Sequence, residues 1–176
     1  MLGKKWKEAG RSKIYYAGED TRKKGVGIIL HPDFQENVTE VQRISDSLVG
    51  LKFVKDKRVW HIIFAFTPQQ GCCEEEKEEF RRKLEEYIKS IPRSELLLLF
   101  GDRNAHVGES SDGFDGIHGG RRNQEGGRLL ELAKAMNLVV LNTEFEKRSH
   151  LVTYNSGQNE TIVLVWKEDK RGRNYY

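Results

Sequence analysis

The chain has 176 residues, of which 37% are hydrophobic and 32% charged, and its net charge is +3, a size that suits one domain. Its dense apolar clusters exclude disorder of the whole chain, and no apolar run reaches the ~18 residues of a membrane-spanning helix. The only cysteines, Cys72 and Cys73, are adjacent, so we expect no disulfide partner and an intracellular location in the nucleus or cytoplasm.

The first part of the chain predicts consecutive strands after a basic lead-in, residues 1–12. Residues 1–30 contain eight Lys or Arg against three acids. Such a cluster can bind a phosphate backbone, but it is also common on solvated surfaces that bind nothing acidic. Pro32 ends one strand because proline disfavours a continuing ladder. The predicted strands are Lys13–Tyr16, Val26–His31, Val38–Val41, Ser47–Val54 and Arg58–Phe66, with turns at Gly18–Lys24 and Asp56–Lys57.

The second part of the chain predicts helices between strands. From Glu74 to Ser90 apolar residues recur every three or four positions, and Pro92 stops this helix. Asn123 can cap a second helix. The inward residues of that helix are Leu129, Leu130, Leu132, Ala133 and Met136, and the remaining strands are Leu96–Phe100, Leu138–Asn142, Leu151–Tyr154 and Ile162–Trp166. Strands and helices in this order indicate an α/β or α+β layered sandwich.

The predicted apolar strand Leu96–Phe100 is followed directly by a segment with polar side chains, GDRNAHVG. Asp102 and Asn104 are two residues apart, so in extended backbone they point to the same side. A carboxylate and a carboxamide together suit a hard metal ion or an attacking water. The same residue types also form ordinary Asx turns that only satisfy nearby backbone amides, and from these residues alone both interpretations stay open.

The GDRNAHVG segment and several further motifs resemble the endonuclease/exonuclease/phosphatase domain of LINE-type non-LTR retrotransposons. The motifs run in family order from about Tyr15 to Gly157, which is most of the chain. Any one of them is weak, but their order is specific. The others are GVGIIL at 25–30, AFTPQQG at 65–71, Asp112–Gly113, His118–Gly120, Arg122–Asn123, Glu125–Gly126, VLNTEF at 140–145 and HLVTYNSG at 150–157.

The resemblance implies a four-layer sandwich of two mixed β-sheets flanked by helices, and Mg²⁺-dependent hydrolysis of DNA phosphodiesters. On this basis Asp102 would orient or deprotonate the attacking water, and Asn104 would hydrogen-bond the transition state. Asp102 is also the nearest candidate for a metal ligand. Phe66, Asn123, Thr153 and Tyr154 occupy positions expected to contact the phosphate or the DNA.

Departures from the family pattern predict impaired catalysis. The family's metal-binding glutamate and its terminal Asp-His pair have no counterpart, so we expect a domain truncated at both ends, with residues 158–176 divergent. Phe66 stands where the family has a tyrosine, Arg103 replaces an apolar residue, and Asn159–Trp166 lacks the expected acid. We expect the histidines to lie at the surface or in loops. They are His31, His61, His106, His118 and His150.

Three functional hypotheses follow for a single domain spanning residues 1–176. The first is a retrotransposon-derived endonuclease domain without useful activity. The second is a working Mg²⁺ nuclease completed by sequence outside this chain. The third is a non-enzymatic, domesticated module that binds DNA or a chromatin protein through its basic N-terminal stretch. Because strands of the family fold have no counterpart, we also expect marginal stability or a protein partner that supplies the missing strands.

Overall fold

The computed structural model describes residues 6–18, 25–69, 71–101, 124–140 and 164–167. Helix α2 has the bounds that its apolar spacing predicts, and α3 begins directly after the predicted cap position. The elements are β1 Trp6–Ala9, β2 Ser12–Ala17, β3 Val26–Leu30, α1 Pro32–Gln35, β4 Val38–Ser45, β5 Leu48–Lys55, β6 Arg58–Ala65, α2 Glu74–Ser90, β7 Leu96–Phe100, α3 Gln124–Met136, β8 Leu138–Val140 and β9 Leu164–Lys167.

The described strands form two sheets. A smaller antiparallel sheet has the order β1-β2-β3, and a larger mixed sheet has the order β4-β5-β6-β7-β9-β8. Strands β4, β5 and β6 are antiparallel, as predicted for consecutive strands joined by short turns. Strands β6 and β7 are parallel, because α2 carries the chain back to the starting end of the sheet. The position of β7 between β6 and β9 confirms it as a central strand.

A two-residue turn joins β5 and β6 at the predicted place. Asp56 and Lys57 have φ angles of 52° and 61°, the left-handed pair that matches the twist of two hairpin strands. This turn sets the register in which Lys55 lies opposite Arg58 and Leu48 lies opposite Ala65. The register therefore determines on which of the two faces of the sheet each side chain of these strands lies.

The helices cover one face of the larger sheet. Leu84 of α2 is fully buried against this face, which presents Ile63 of β6 and Leu97 of β7. The Tyr87 ring lies over Gly50, where a Cβ atom would be 2.2 Å from the tyrosine Oη. Burial, with a smaller contribution from the charge of Glu40, raises the pKa of Tyr87 to about 12.

The other face of the larger sheet packs on the smaller sheet. Val49 and Leu51 of β5 are buried against Ala17 of β2 and Ile28 of β3. Neighbouring residues of β5 therefore enter different cores, as the alternation of a strand requires. The layers are helices, a mixed sheet and a second sheet, which confirms the α/β sandwich.

Several expectations about single elements were wrong. Strand β1 lies inside the supposed lead-in, because Gly10 adopts a φ of 61° and closes a tight turn that pairs Ala9 with Ser12. The short helix α1 was not predicted, and β4 runs four residues beyond Val41 to Ser45. The predicted strand Leu151–Tyr154 lies outside the described residues. In the ranges that the structure describes, no helix is long and apolar enough to cross a membrane.

Candidate functional site

The carboxyl ends of β6 and β7 meet at one edge of the larger sheet. Because these strands are parallel, the residues that follow them leave the sheet at the same end. The last pair before the edge is Phe64 opposite Phe100, whose rings stack with centroids 5.1 Å apart. We name Ala65–Thr67 together with Phe100–Gly101 the β6–β7 edge. The connection to α2 starts from it.

Gly101 brings the two strand ends into backbone contact. Its φ is +129°, which side-chain-bearing residues rarely adopt, and a Cβ atom there would be only 1.9 Å from the carbonyl oxygen of Ala65. The glycine that opens the GDRNAHVG segment is therefore required by both conformation and space. The predicted site segment consequently begins directly beside the end of β6.

Of the six predicted site residues, the structure describes Phe66. It follows β6 directly, its backbone N–H donates to the carbonyl of Ser47 (2.9 Å), and its side chain is half-buried. The others lie outside the described residues, so their placement stays a prediction. They are Asp102, Asn104, Asn123, Thr153 and Tyr154. In the part of the chain that the structure describes, no group of three or more His, Cys, Asp or Glu side chains could hold a metal ion.

A cluster of charged side chains joins the N-terminal turns of α2 and α3. The Glu125 carboxylate is buried and accepts a hydrogen bond from Arg128 (2.9 Å), and Arg81 of α2 lies 3.7 Å from it. Both arginines also reach Glu74, Arg128 at 3.4 Å and Arg81 at 4.0 Å. A hydrogen bond from Lys77 and the charge of Arg128 hold the pKa of Glu74 below its usual range. We call these residues the α2–α3 charge cluster.

The charge cluster lines a groove that starts at the β6–β7 edge. The groove has a volume of about 650 Å³, and Thr67, Arg81 and Glu125 contribute to its wall. The sequence motif included Glu125 but gave no partner for it. The i,i+3 spacing of Glu125 and Arg128 could have indicated their pairing. The bridge from Arg81 could not be predicted, because it depends on how two distant helices pack.

A second polar cluster lies at the start of β7, away from the β6–β7 edge. His61 is buried, not at the surface or in a loop as expected, and its Nε2 lies 2.5 Å from the Glu95 carboxylate. Lys52 lies 3.5 Å from the same carboxylate. The hydrogen bond with His61, with smaller contributions from the charges of His61 and Lys52, holds the pKa of Glu95 below its usual range. This arrangement ties β5, β6 and the start of β7 together.

The architecture is that of the endonuclease/exonuclease/phosphatase domains. The endonuclease domain of TRAS1, a telomere-specific non-LTR retrotransposon, superposes with a TM-score of 0.61 at 12% identity, over 92% of this chain and 67% of that chain. A humanized TDP2 from D. rerio gives 0.60 at 11% identity, over 93% and 63%. An endonuclease/exonuclease/phosphatase family protein from Leptotrichia buccalis gives 0.53 at 11%, over 87% and 58%. At these identities the likeness shows the fold.

Sequence similarity adds particular relatives. Craniofacial development protein 2 from Tragulus javanicus is 30% identical over 147 residues, which is 81% of this chain and 26% of that protein. The same protein from Bos taurus is 29% identical over 147 residues, again 81% of this chain and 25% of that protein. The chain thus spans about a quarter of the length of these relatives. No family model matches it. The chain is thus similar in sequence to part of craniofacial development protein 2 and has an endonuclease/exonuclease/phosphatase fold, as the resemblance predicts.

Proposed function

We propose that the chain is a retrotransposon-derived, Mg²⁺-dependent type of DNA endonuclease domain that contacts DNA at the β6–β7 edge and is impaired in catalysis. The observation that carries the proposal is the backbone contact between Gly101 and Ala65. Gly101, which precedes Asp102 in the sequence, thereby lies against Ala65, which precedes Phe66. Supporting it, one D. rerio TDP2 structure with this fold (TM-score 0.56, 10% identity) holds a single-strand DNA product.

The described side chains of the edge do not fit a magnesium ion, which prefers several oxygen ligands. Phe66 offers no oxygen, and Thr67 offers a single neutral hydroxyl. Glu125, the buried carboxylate of the adjoining groove, is held by Arg81 and Arg128 and is not available as a ligand. Among the six predicted site residues, Asp102 is the one that carries a carboxylate. We therefore derive no step through a metal ion and propose that cleavage is weak or absent.

Plasmid nicking tests the impairment. The chain and its Phe66→Tyr variant are incubated with supercoiled plasmid, with and without Mg²⁺. We expect no nicking above background from the unchanged chain, because Phe66 has no phenol and Asn159–Trp166 lacks the acid of the family pattern. Nicking that requires Mg²⁺ and disappears in Asp102→Ala would contradict the proposal. A gain of nicking in Phe66→Tyr would locate the defect at the β6–β7 edge.

DNA binding without catalysis is the alternative, and the β1–β2 hairpin favours it. Lys7 and Arg11 are exposed on this hairpin, and the Lys7 ammonium lies 5.7 Å from the centre of the Tyr16 ring. If each contacts a phosphate, replacing it with Ala lowers the slope of log affinity against log salt by about 0.9. Asp102→Ala would then leave affinity unchanged. A partner that supplies strands, and a nuclear or cytoplasmic location, stay predictions.

A further inference from the structure

The α2–α3 charge cluster connects the N-terminal turns of the two helices that line the groove beside the β6–β7 edge. In the sequence, Phe66 precedes the first residue of α2 by eight positions, and Asn123 directly precedes α3. Arg81 lies within ion-pair distance of Glu74 in the first turn of α2 and of Glu125 in the first turn of α3. A guanidinium can reach two carboxylates at once because its donors form a planar fork.

We propose that Arg81 is a positioning residue that fixes the start of α3 relative to α2, beside the β6–β7 edge. The inference rests on the proposed function, since it assigns the contacts of this edge to DNA. Glu125 is 8% exposed, so its carboxylate has little contact with water and is compensated by the neighbouring arginines. Losing Arg81 removes the cation that comes from another helix and leaves Arg128, which belongs to α3 itself.

Arg81→Met tests this role, and Arg82→Met is the matched control. Arg82 is the next residue of α2, is exposed, and pairs with Glu86 on the solvent side at 2.8 Å. Binding of a fluorescein-labelled DNA duplex is measured between roughly 50 and 200 mM salt. We expect Arg81→Met to raise the Kd about tenfold, because part of the binding free energy would then be used to order the start of α3. Arg82→Met leaves the Kd unchanged.

The salt dependence separates positioning from direct contact with phosphate. A positioning residue changes the Kd at an unchanged slope of log affinity against log salt. A slope that falls by about 0.9 in Arg81→Met, but not in Arg82→Met, would show a phosphate contact and overturn the proposal. Equal Kd values for the two variants would overturn it as well. Partial recovery in Arg81→Lys supports it, because one ammonium replaces a fork that reaches two carboxylates.

Hydrogen exchange keeps this inference separate from the proposed function. If the unchanged chain does not bind DNA, the proposed function fails, but the positioning of α3 can still be measured. The amides of residues 124–128 should then exchange faster in Arg81→Met than in Arg82→Met, and equal exchange would overturn the inference. Should Arg81→Met not fold, Glu125→Gln serves instead, because it removes the charge and keeps the shape of the side chain.

Discussion

The two faces of the larger sheet differ in how completely they are covered. On the helix face, Leu48, Ile63 and Leu97 have no exposed surface, and α2 and α3 close over them. On the opposite face, Trp60 and Ile62 are half-buried and line an apolar groove of about 440 Å³. The same strand, β6, therefore has a sealed side and a partly open side.

The difference follows from which elements lie above each face. The smaller sheet contacts β4, β5 and β6, so its described strands cover one half of the larger sheet. The groove begins beside that cover, with Leu98 of β7 in its wall. Hydrophobic stabilisation grows with apolar area removed from water, at about 25 cal/mol per Å². Most of the stability should therefore come from the helix face.

The largest expected effect on stability comes from substituting Gly101, because this change should disturb the packing on both faces of the larger sheet. Gly101→Ala would place Cβ at 1.9 Å from the Ala65 oxygen and force a strained φ of +129°. Because the obstacle is backbone, no side chain can move away. We expect a loss of about 4 kcal/mol or more in unfolding free energy, measured by urea denaturation. Gly71→Ala, where nothing lies within 4 Å of the new Cβ, is the control. Equal stability of the two variants would contradict the close contact.

A pair of truncations compares the two faces directly. Leu84 is fully buried on the helix face, so Leu84→Ala should cost about 2–5 kcal/mol. Ile62 lies beside the groove and is already half-exposed, so Ile62→Ala should cost no more than about 2 kcal/mol. Urea denaturation measures both. A loss at Ile62 as large as at Leu84 would show that the second face is sealed in solution.

The helix face was also the more predictable of the two. The spacing of Phe80, Leu84 and Ile88 along α2 gave the bounds of this helix, because one buried stripe determines which residues face the sheet. Strand β1 was missed, since a four-residue strand in a basic stretch depends on pairing with β2 and not on its own pattern. The bridge from Arg81 and the burial of His61 were missed for the same reason. Both arise from elements that are distant in sequence.

Similar limits apply to the candidate site. The start of GDRNAHVG at the end of a strand was predictable, because an apolar run followed by Gly-Asp is a pattern of residues adjacent in the sequence. The contact of Gly101 with Ala65 was not, because it depends on the parallel pairing of β6 with β7. The motif indicated where the proposed site begins, and the pairing of β6 with β7 brings its first residue, Gly101, against the residue that precedes Phe66.

A smaller effect concerns pH and the polar cluster on the helix-facing side of the sheet. The pKa of Glu95 is lowered in the folded protein, so the unfolded chain binds its proton more readily. The stabilisation is therefore complete above the ordinary carboxyl pKa of about 4.3 and is lost as pH falls through the lower folded value. Glu95→Gln should lower the free energy of unfolding by about 1–3 kcal/mol at neutral pH. The free energy of unfolding of this variant should also change less with pH in the acidic range.

Urea denaturation of Glu95→Gln at several pH values between about 3 and 7 measures that profile. Glu86→Gln is the control, because Glu86 is exposed and pairs with Arg82 on the solvent side, where an ion pair contributes little. If both variants lose stability equally at neutral pH, the hydrogen bond between His61 and Glu95 contributes no more than a surface pair.

The smallest expected effect is an increase in stability, and it tests what limits the stability of the helices that cover the larger sheet. Gly127 lies inside α3, a Cβ there would meet nothing within 4 Å, and its φ is not left-handed. Gly127→Ala should therefore raise the unfolding free energy by about 0.5–1 kcal/mol, because alanine loses less conformational freedom than glycine when the helix forms. Ala135→Gly, at an exposed position of the same helix, should lower it by a similar amount. Thermal denaturation of both variants checks the pair.

If Gly127→Ala destabilised the protein while Ala135→Gly behaved as expected, the N-terminal turns of α3 would be constrained by packing and not by helix propensity. The stability of the helix face would then depend on how α3 meets α2 at the charge cluster.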